Sequence, residues 1–84
     1  MPRVIVDVPL EEIAPRRVSK AKVAEFVRLM EGGLVFPPVK LARLPPGSPY
    51  RWRVCDGGHR VAAARALGRK TIKAKLWLPD EELR

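Results

Sequence analysis

Eighty-four residues enclose one hydrophobic core and not two, so a single domain over 1–84 is expected, with 46% hydrophobic and 31% charged residues in globular rather than disordered proportions. The apolar runs Val4 to Val6 and Val61 to Ala64 fall far short of the roughly 20 residues of a membrane span, and one cysteine with one histidine excludes an internal disulfide and a Cys/His zinc set. Of the net charge of +8, +7 falls between Tyr50 and Lys75, where eight Lys and Arg accompany the single acid Asp56; such a field attracts phosphate, on a nucleotide or along a nucleic acid.

The first alternation, Arg3 to Val8, puts Val4, Val6 and Val8 on one side and reads as a half-buried strand ended by Pro9. Leu10 to Ile13 is a short turn closed by Pro15. Ser19 can cap a helix in which Val23, Phe26, Val27 and Met30 recur on one face, with Gly32-Gly33 as its stop. Lys22 stands where a capping box would carry Glu or Gln, which leaves that lysine for another task.

Val39 to Leu44 and Tyr50 to Cys55 read as two strands of a hairpin around the turn-forming Pro45-Pro46-Gly47-Ser48-Pro49. Trp52 alternates with Arg51 and Arg53 and is expected in the core, not as a platform for bases. A helix follows from Gly58 to Leu67, with Ala62, Ala63, Ala66 and Leu67 as its expected apolar face and Gly68 as its stop. Thr71 to Leu78 alternates again, with Ile72, Ala74, Leu76 and Leu78 inward, before Pro79 and an acidic tail. The fold class is therefore α+β: one mixed sheet with two main helices packed against it.

No basic-then-apolar leader opens the sequence, which points to a cytoplasmic protein with no membrane partner. Asn and Gln are absent while Arg and Ala abound, a bias against thermolabile amides that points to a thermophilic source. Cys55 is expected to be a small buried apolar side chain.

The chemistry concentrates at Asp56-Gly57-Gly58-His59-Arg60, between a strand and a helix. A helix start leaves backbone N–H groups without intrahelical partners at the positive end of the dipole, which seats an anion. Gly57 and Gly58 remove side chains from that approach, and His59 and Arg60 add donors beside it. The same residues also admit a structural reading, in which Asp56 caps the helix, Arg60 pairs with Asp56 and His59 bonds a core group. No Gly-Lys-Ser or Gly-Lys-Thr follows, so this is not a Walker loop.

Gly57-Gly58-His59-Arg60-Val61-Ala62-Ala63-Ala64-Arg65-Ala66-Leu67-Gly68 resembles the signature of the ParB amino-terminal domain, Gly-Glu-Arg-Arg, two residues, Ala-Ala and a closing glycine. It resembles sulfiredoxin further: His59-Arg60, Ala62-Ala63 and Thr71-Ile72-Lys73-Ala74-Lys75-Leu76 follow that family's Gly-Gly-Cys-His-Arg, Ala-Ala helix and Thr-Ile-x-Ala-Lys-Leu strand. The likeness runs back through Pro37-Pro38 to Ala21-Lys22-Val23 and spans residues 4 to 78. It implies a ParB/sulfiredoxin-like domain that binds nucleotide phosphates through Gly57, Gly58, His59 and Arg60, with Lys22 reaching in from the first helix. Two departures matter. Gly58 stands where the sulfiredoxin cysteine and the ParB glutamate fall, and Cys55 lies roughly 10 Å away along the strand. That removes the thiol from the attack line of sulfiredoxin chemistry.

Asp56 is the distinctive acid: it could hold Mg²⁺ against a bound nucleoside di- or triphosphate or, with His59, take part in catalysis as a proton acceptor, with Glu11, Glu12 or Glu25 as a second carboxylate. Three functions stand open on this reading. One is a nucleotide-binding domain with phosphoryl-transfer or NTPase activity. Another is a DNA- or RNA-binding or nuclease-type module that uses Arg51, Arg53, Arg69, Lys70, Lys73 and Lys75, with Arg51, Arg53, Lys73 and Lys75 on one basic sheet face. The third is a non-enzymatic subunit that binds a protein partner or a second copy of itself.

Overall fold

A computed structural model describes residues 4–77 of the chain. The valine alternation forms β1 (Val4–Pro9), which passes into one 3-10 turn at Leu10–Glu12. Helix α1 (Lys20–Glu31) starts at the expected cap, where the Ser19 hydroxyl accepts the Lys22 N–H at 3.4 Å. The hairpin is β2 (Val39–Arg43) and β3 (Trp52–Asp56), paired antiparallel with a register break between Lys40 and Leu41. Helix α2 (Gly58–Ala66) and strand β4 (Thr71–Trp77) complete the order. The expected inward Leu78, Pro79, the acidic tail and the strand start at Arg3 lie outside the described residues.

The sheet order is β1-β4-β2-β3. β4 pairs antiparallel with β1 and parallel with β2, with Val39 opposite Ala74 and Lys40 opposite Lys75. This is the expected mixed sheet with two helices, and β4, last in sequence, joins the first strand to the hairpin. Among the described residues no helix is long and apolar enough to cross a membrane.

One face of the sheet carries the core. Val8, Val39, Leu41, Trp52, Val54 and Ala74 point to it and meet Val61 and Ala64 of α2 and Leu10 and Ile13 of the β1–α1 connection. Trp52 is buried, as its alternation predicts. Cys55 is not: it is exposed, because β3 turns Trp52 and Val54 inward and sends Arg53 and Cys55 to the opposite face. The expected apolar face of α2 is also displaced. Val61 and Ala64 enter the core and Ala63 is buried outside that cluster, whereas Ala66 is exposed. The reason is that α2 lies between two layers, the sheet on one side and α1 on the other, so its buried positions do not form a single stripe.

Arg65 ties the β1–α1 connection to α2. Its Nη2 donates to the Leu10 and Ile13 carbonyls, which closes two acceptors beside the core. Arg65→Ala leaves both carbonyls without that donor and is expected to lower the unfolding free energy by about 2–3 kcal/mol in urea titration. Arg65→Lys, with no planar fork, recovers only part of the loss.

Candidate functional site

Three connections meet at the start of α2. Strand β3 ends at Asp56, and Gly57 turns the chain with φ of 106°, a left-handed conformation that side chains disfavour. Space makes the same demand. A Cβ on Gly57 would lie 2.6 Å from Val39 Cγ1, so the turn packs its backbone directly on β2. Gly58 has a different role: a Cβ there would lie 3.3 Å from Arg16 Cδ and 3.7 Å from Val18 Cγ1, within the segment that leads into α1. Gly57 therefore shapes the turn, and Gly58 keeps the first turn of α2 close to Arg16.

His59 joins the two helices. Its Nε2 accepts the backbone N–H of Ser19 at 3.1 Å, which leaves the proton of the neutral ring on Nδ1. The ring stacks against Phe26 of α1 at 6.3 Å between centroids, and Phe26 meets Phe36 edge-on at 5.1 Å. The N-terminus of α1 is thus pinned against the N-terminus of α2.

Arg60 is largely enclosed, its side chain 15% exposed, and doubly held. Its Nη1 donates to the Pro37 carbonyl at 2.8 Å, and its Nη2 lies 3.3 Å from Asp56 Oδ2. Asp56 makes no cap, since the N-cap of α2 is Gly57 and no side chain bonds the first turn from that position. The Asp56 side chain is 63% exposed, so the ion pair orients Arg60 more than it stabilises the fold.

Arg16 is the residue that sequence reasoning missed. Its Nη1 donates to the Val54 carbonyl at 3.1 Å while its aliphatic stem covers Gly58. The available signal was Arg16-Arg17 standing just before the Ser19 cap. Lys22 is exposed in the first turn of α1, beside the same junction. Neither helix has an acidic residue in its first turn; α1 has Lys20 and Lys22 there, and α2 has His59 and Arg60. Helix starts favour carboxylates, so cations at two converging positive ends oppose folding in the free chain and suit a bound anion.

The remaining expected residues are dispersed. Among the described residues no group of three or more His, Cys, Asp and Glu comes together, so Asp56 belongs to no carboxylate cage. Glu11 and Glu12 line a hollow at the hairpin end together with Arg51, and Glu25 is exposed on α1. Arg69 and Lys70 follow α2 and line a cavity of 560 Å³ that Arg60 reaches and whose lining excludes Gly57, Gly58, His59 and Lys22. The basic sheet face expected from Arg51, Arg53, Lys73 and Lys75 loses Arg51 to the hairpin loop, where its N–H donates to the Glu12 carbonyl. It gains Lys40, opposite Lys75.

No family model and no curated protein sequence matches the chain. The structure does match: the chain has the ParB/sulfiredoxin-like fold. Sulfiredoxin from Arabidopsis thaliana superposes with a TM-score of 0.71 at 25% identity, over 95% of this chain and 91% of that one. A free serine kinase in complex with AMP superposes at 0.67 and 24% identity, over 93% of this chain and 31% of the kinase. C-terminally truncated ParB from Caulobacter crescentus, complexed with CTP-γ-S, superposes at 0.73 and 19% identity, over 94% of this chain and 47% of that one. The chain therefore spans nearly a whole sulfiredoxin but about a third of the kinase and half of the ParB chain.

The two glycines separate by substitution. Gly57→Ala combines a left-handed φ with a clash on Val39 and is expected to cost about 2–4 kcal/mol in urea unfolding. Gly58→Ala meets a flexible arginine stem within a helix and is expected to stay within about 1 kcal/mol of the parent.

Proposed function

We propose that the chain binds a nucleoside di- or triphosphate by its phosphates at the junction of α1 and α2. The observation that carries this reading is the convergence of two helix starts, free of acidic residues in their first turns and furnished with cations, on the Ser19–His59 hydrogen bond. The fold supports it, since a free serine kinase and a ParB protein of the same fold are held in complexes with AMP and CTP-γ-S.

In this reading the first-turn amides of α2, after Gly57 and Gly58, face the phosphate oxygens. Arg60 supplies a guanidinium already aimed by the Pro37 carbonyl, and its Nη2 exchanges Asp56 for a phosphate oxygen. Arg16 and Lys22 complete the positive wall, and His59 keeps the helix starts at a fixed separation through Ser19 and Phe26. Asp56 is released by that exchange. Its exposed carboxylate is a hard oxygen donor that suits Mg²⁺, which would neutralise phosphate charge when bound. The same oxygen could accept a proton from a hydroxyl substrate, the step that phosphoryl transfer would need from this chain. Thiol chemistry of the sulfiredoxin kind has no support here, because Gly58 occupies the position of the cysteine and Cys55 opens on to the far face of the sheet.

Isothermal titration with ATP, ADP and CTP in the presence of Mg²⁺ tests the reading. At least one nucleotide is expected to bind, Arg60→Ala to weaken it about 10- to 100-fold, and Lys22→Ala, an exposed site, to weaken it severalfold with the melting temperature unchanged. Absence of heat with all three nucleotides, or equal affinity in both variants and the parent, would overturn it. Release of ADP or inorganic phosphate that disappears in Asp56→Asn would extend binding to catalysis.

A further inference from the structure

We propose that the sheet face opposite the helices binds single-stranded nucleic acid. Strand alternation sends Val8, Val39, Leu41, Trp52, Val54 and Ala74 to the core and leaves the other face to Ile5, Lys40, Ala42, Arg53, Lys75 and Trp77, with Asp7, Lys73 and Cys55 beside them. Ile5 is 55% exposed and Trp77 43%. An apolar residue and an indole among cations are not what a merely solvated face requires.

The decisive feature is the register. Lys40 and Lys75 are direct partners across the parallel β2–β4 pair, and like charges placed directly opposite destabilise a sheet. Asp56, next to Lys40 on β3, is engaged by Arg60 at the start of α2. Asp7 is engaged by Lys73 at 3.8 Å. Among the described residues the two acids near this face, Asp56 and Asp7, are thus held by other cations, and the charge of Lys40, Lys75 and Arg53 is directed at whatever lies over the sheet.

These three cations wall a hollow of 250 Å³ whose floor includes Ala42, with Trp77 at its rim. The small side chain of Ala42, opposite both Arg53 and Trp77 in register, makes that depth. Cations spaced by about 5 Å across strands follow a phosphate backbone, and an exposed indole beside them offers a stacking surface for a base. A duplex presents phosphates but no free base faces, and an acidic peptide satisfies the lysines without use of the indole, so a single strand uses the whole arrangement. This surface lies across the sheet from α2, and its charge balance is that of the chain without nucleotide, with Asp56 held on Arg60.

Fluorescence anisotropy of a labelled twelve-nucleotide oligothymidylate, titrated with the full chain and no added nucleotide between 50 and 300 mM KCl, tests the proposal. Binding is expected to weaken with salt at a log–log slope of about −2, as three phosphate contacts imply. Lys40→Glu with Lys75→Glu is expected to weaken it at least tenfold, Trp77→Ala about tenfold, and Trp77→Phe by little. Lys70→Glu, on the helix side of the sheet, is expected to leave it unchanged. All these positions are exposed or partly exposed, and circular dichroism monitors folding of the variants. The proposal is overturned by absence of binding at 50 mM KCl. It is equally overturned by a duplex of the same length binding as tightly, or by polyglutamate displacing the strand at equal charge concentration while Trp77→Ala has no effect.

Discussion

The turn at Gly57 is the constraint on which the rest of the structure depends. Strand β3 cannot enter α2 over the sheet unless the chain adopts a left-handed conformation at that point, and it cannot do so with a side chain because Val39 of the neighbouring strand already fills the space. One residue without a Cβ therefore brings β2, β3 and α2 into contact. From that contact follow the burial of Val61 and Ala64 on the sheet, the exposure of Asp56 at the strand end and the aim of Arg60 across it towards Pro37.

The second organising contact is the one between helices. Because His59 accepts the Ser19 N–H and stacks on Phe26, α1 and α2 meet start to start. Two positive dipole ends and the cations Arg16, Lys20, Lys22 and Arg60 lie in one small region, an arrangement that an isolated chain has no electrostatic reason to adopt. The structural and the ligand-binding roles of the motif are thus not rivals. The Asp56–Arg60 ion pair and the His59 hydrogen bond hold the donors in place, and the positive charge at the helix starts is what the proposed anion would neutralise.

The sheet divides the molecule electrostatically as well as spatially. One side carries the core, the helices and the proposed phosphate site, and the other carries Lys40, Arg53, Lys75 and Trp77. Position 58 marks where this chain leaves the chemistry of its sulfiredoxin-like and ParB-like resemblance, since glycine there supplies neither thiol nor carboxylate. Its cysteine has moved to the face without the helices, and its acid to position 56.

Local periodicity and turn chemistry were enough, in the sequence alone, for the four strands and two helices of the described residues and for the Ser19 cap, because period-two and helical patterns and glycine stops act over a few neighbouring residues. The burial of Trp52 was legible for the same reason, from its alternation with Arg51 and Arg53. The alternation of β3 also held the exposure of Cys55, but the general tendency of cysteine to be buried pointed the other way. Tertiary structure decided what depends on residues distant in sequence. It placed Arg16 over Gly58 and Ser19 on His59, moved the buried side of α2 to Val61, Ala63 and Ala64, removed Arg51 from the basic face and set Lys40 beside Lys75. These pairings arise from the position of α2 between two layers and the insertion of the last strand between the first strand and the hairpin, and no periodicity within a single segment encodes which segment will lie next to it.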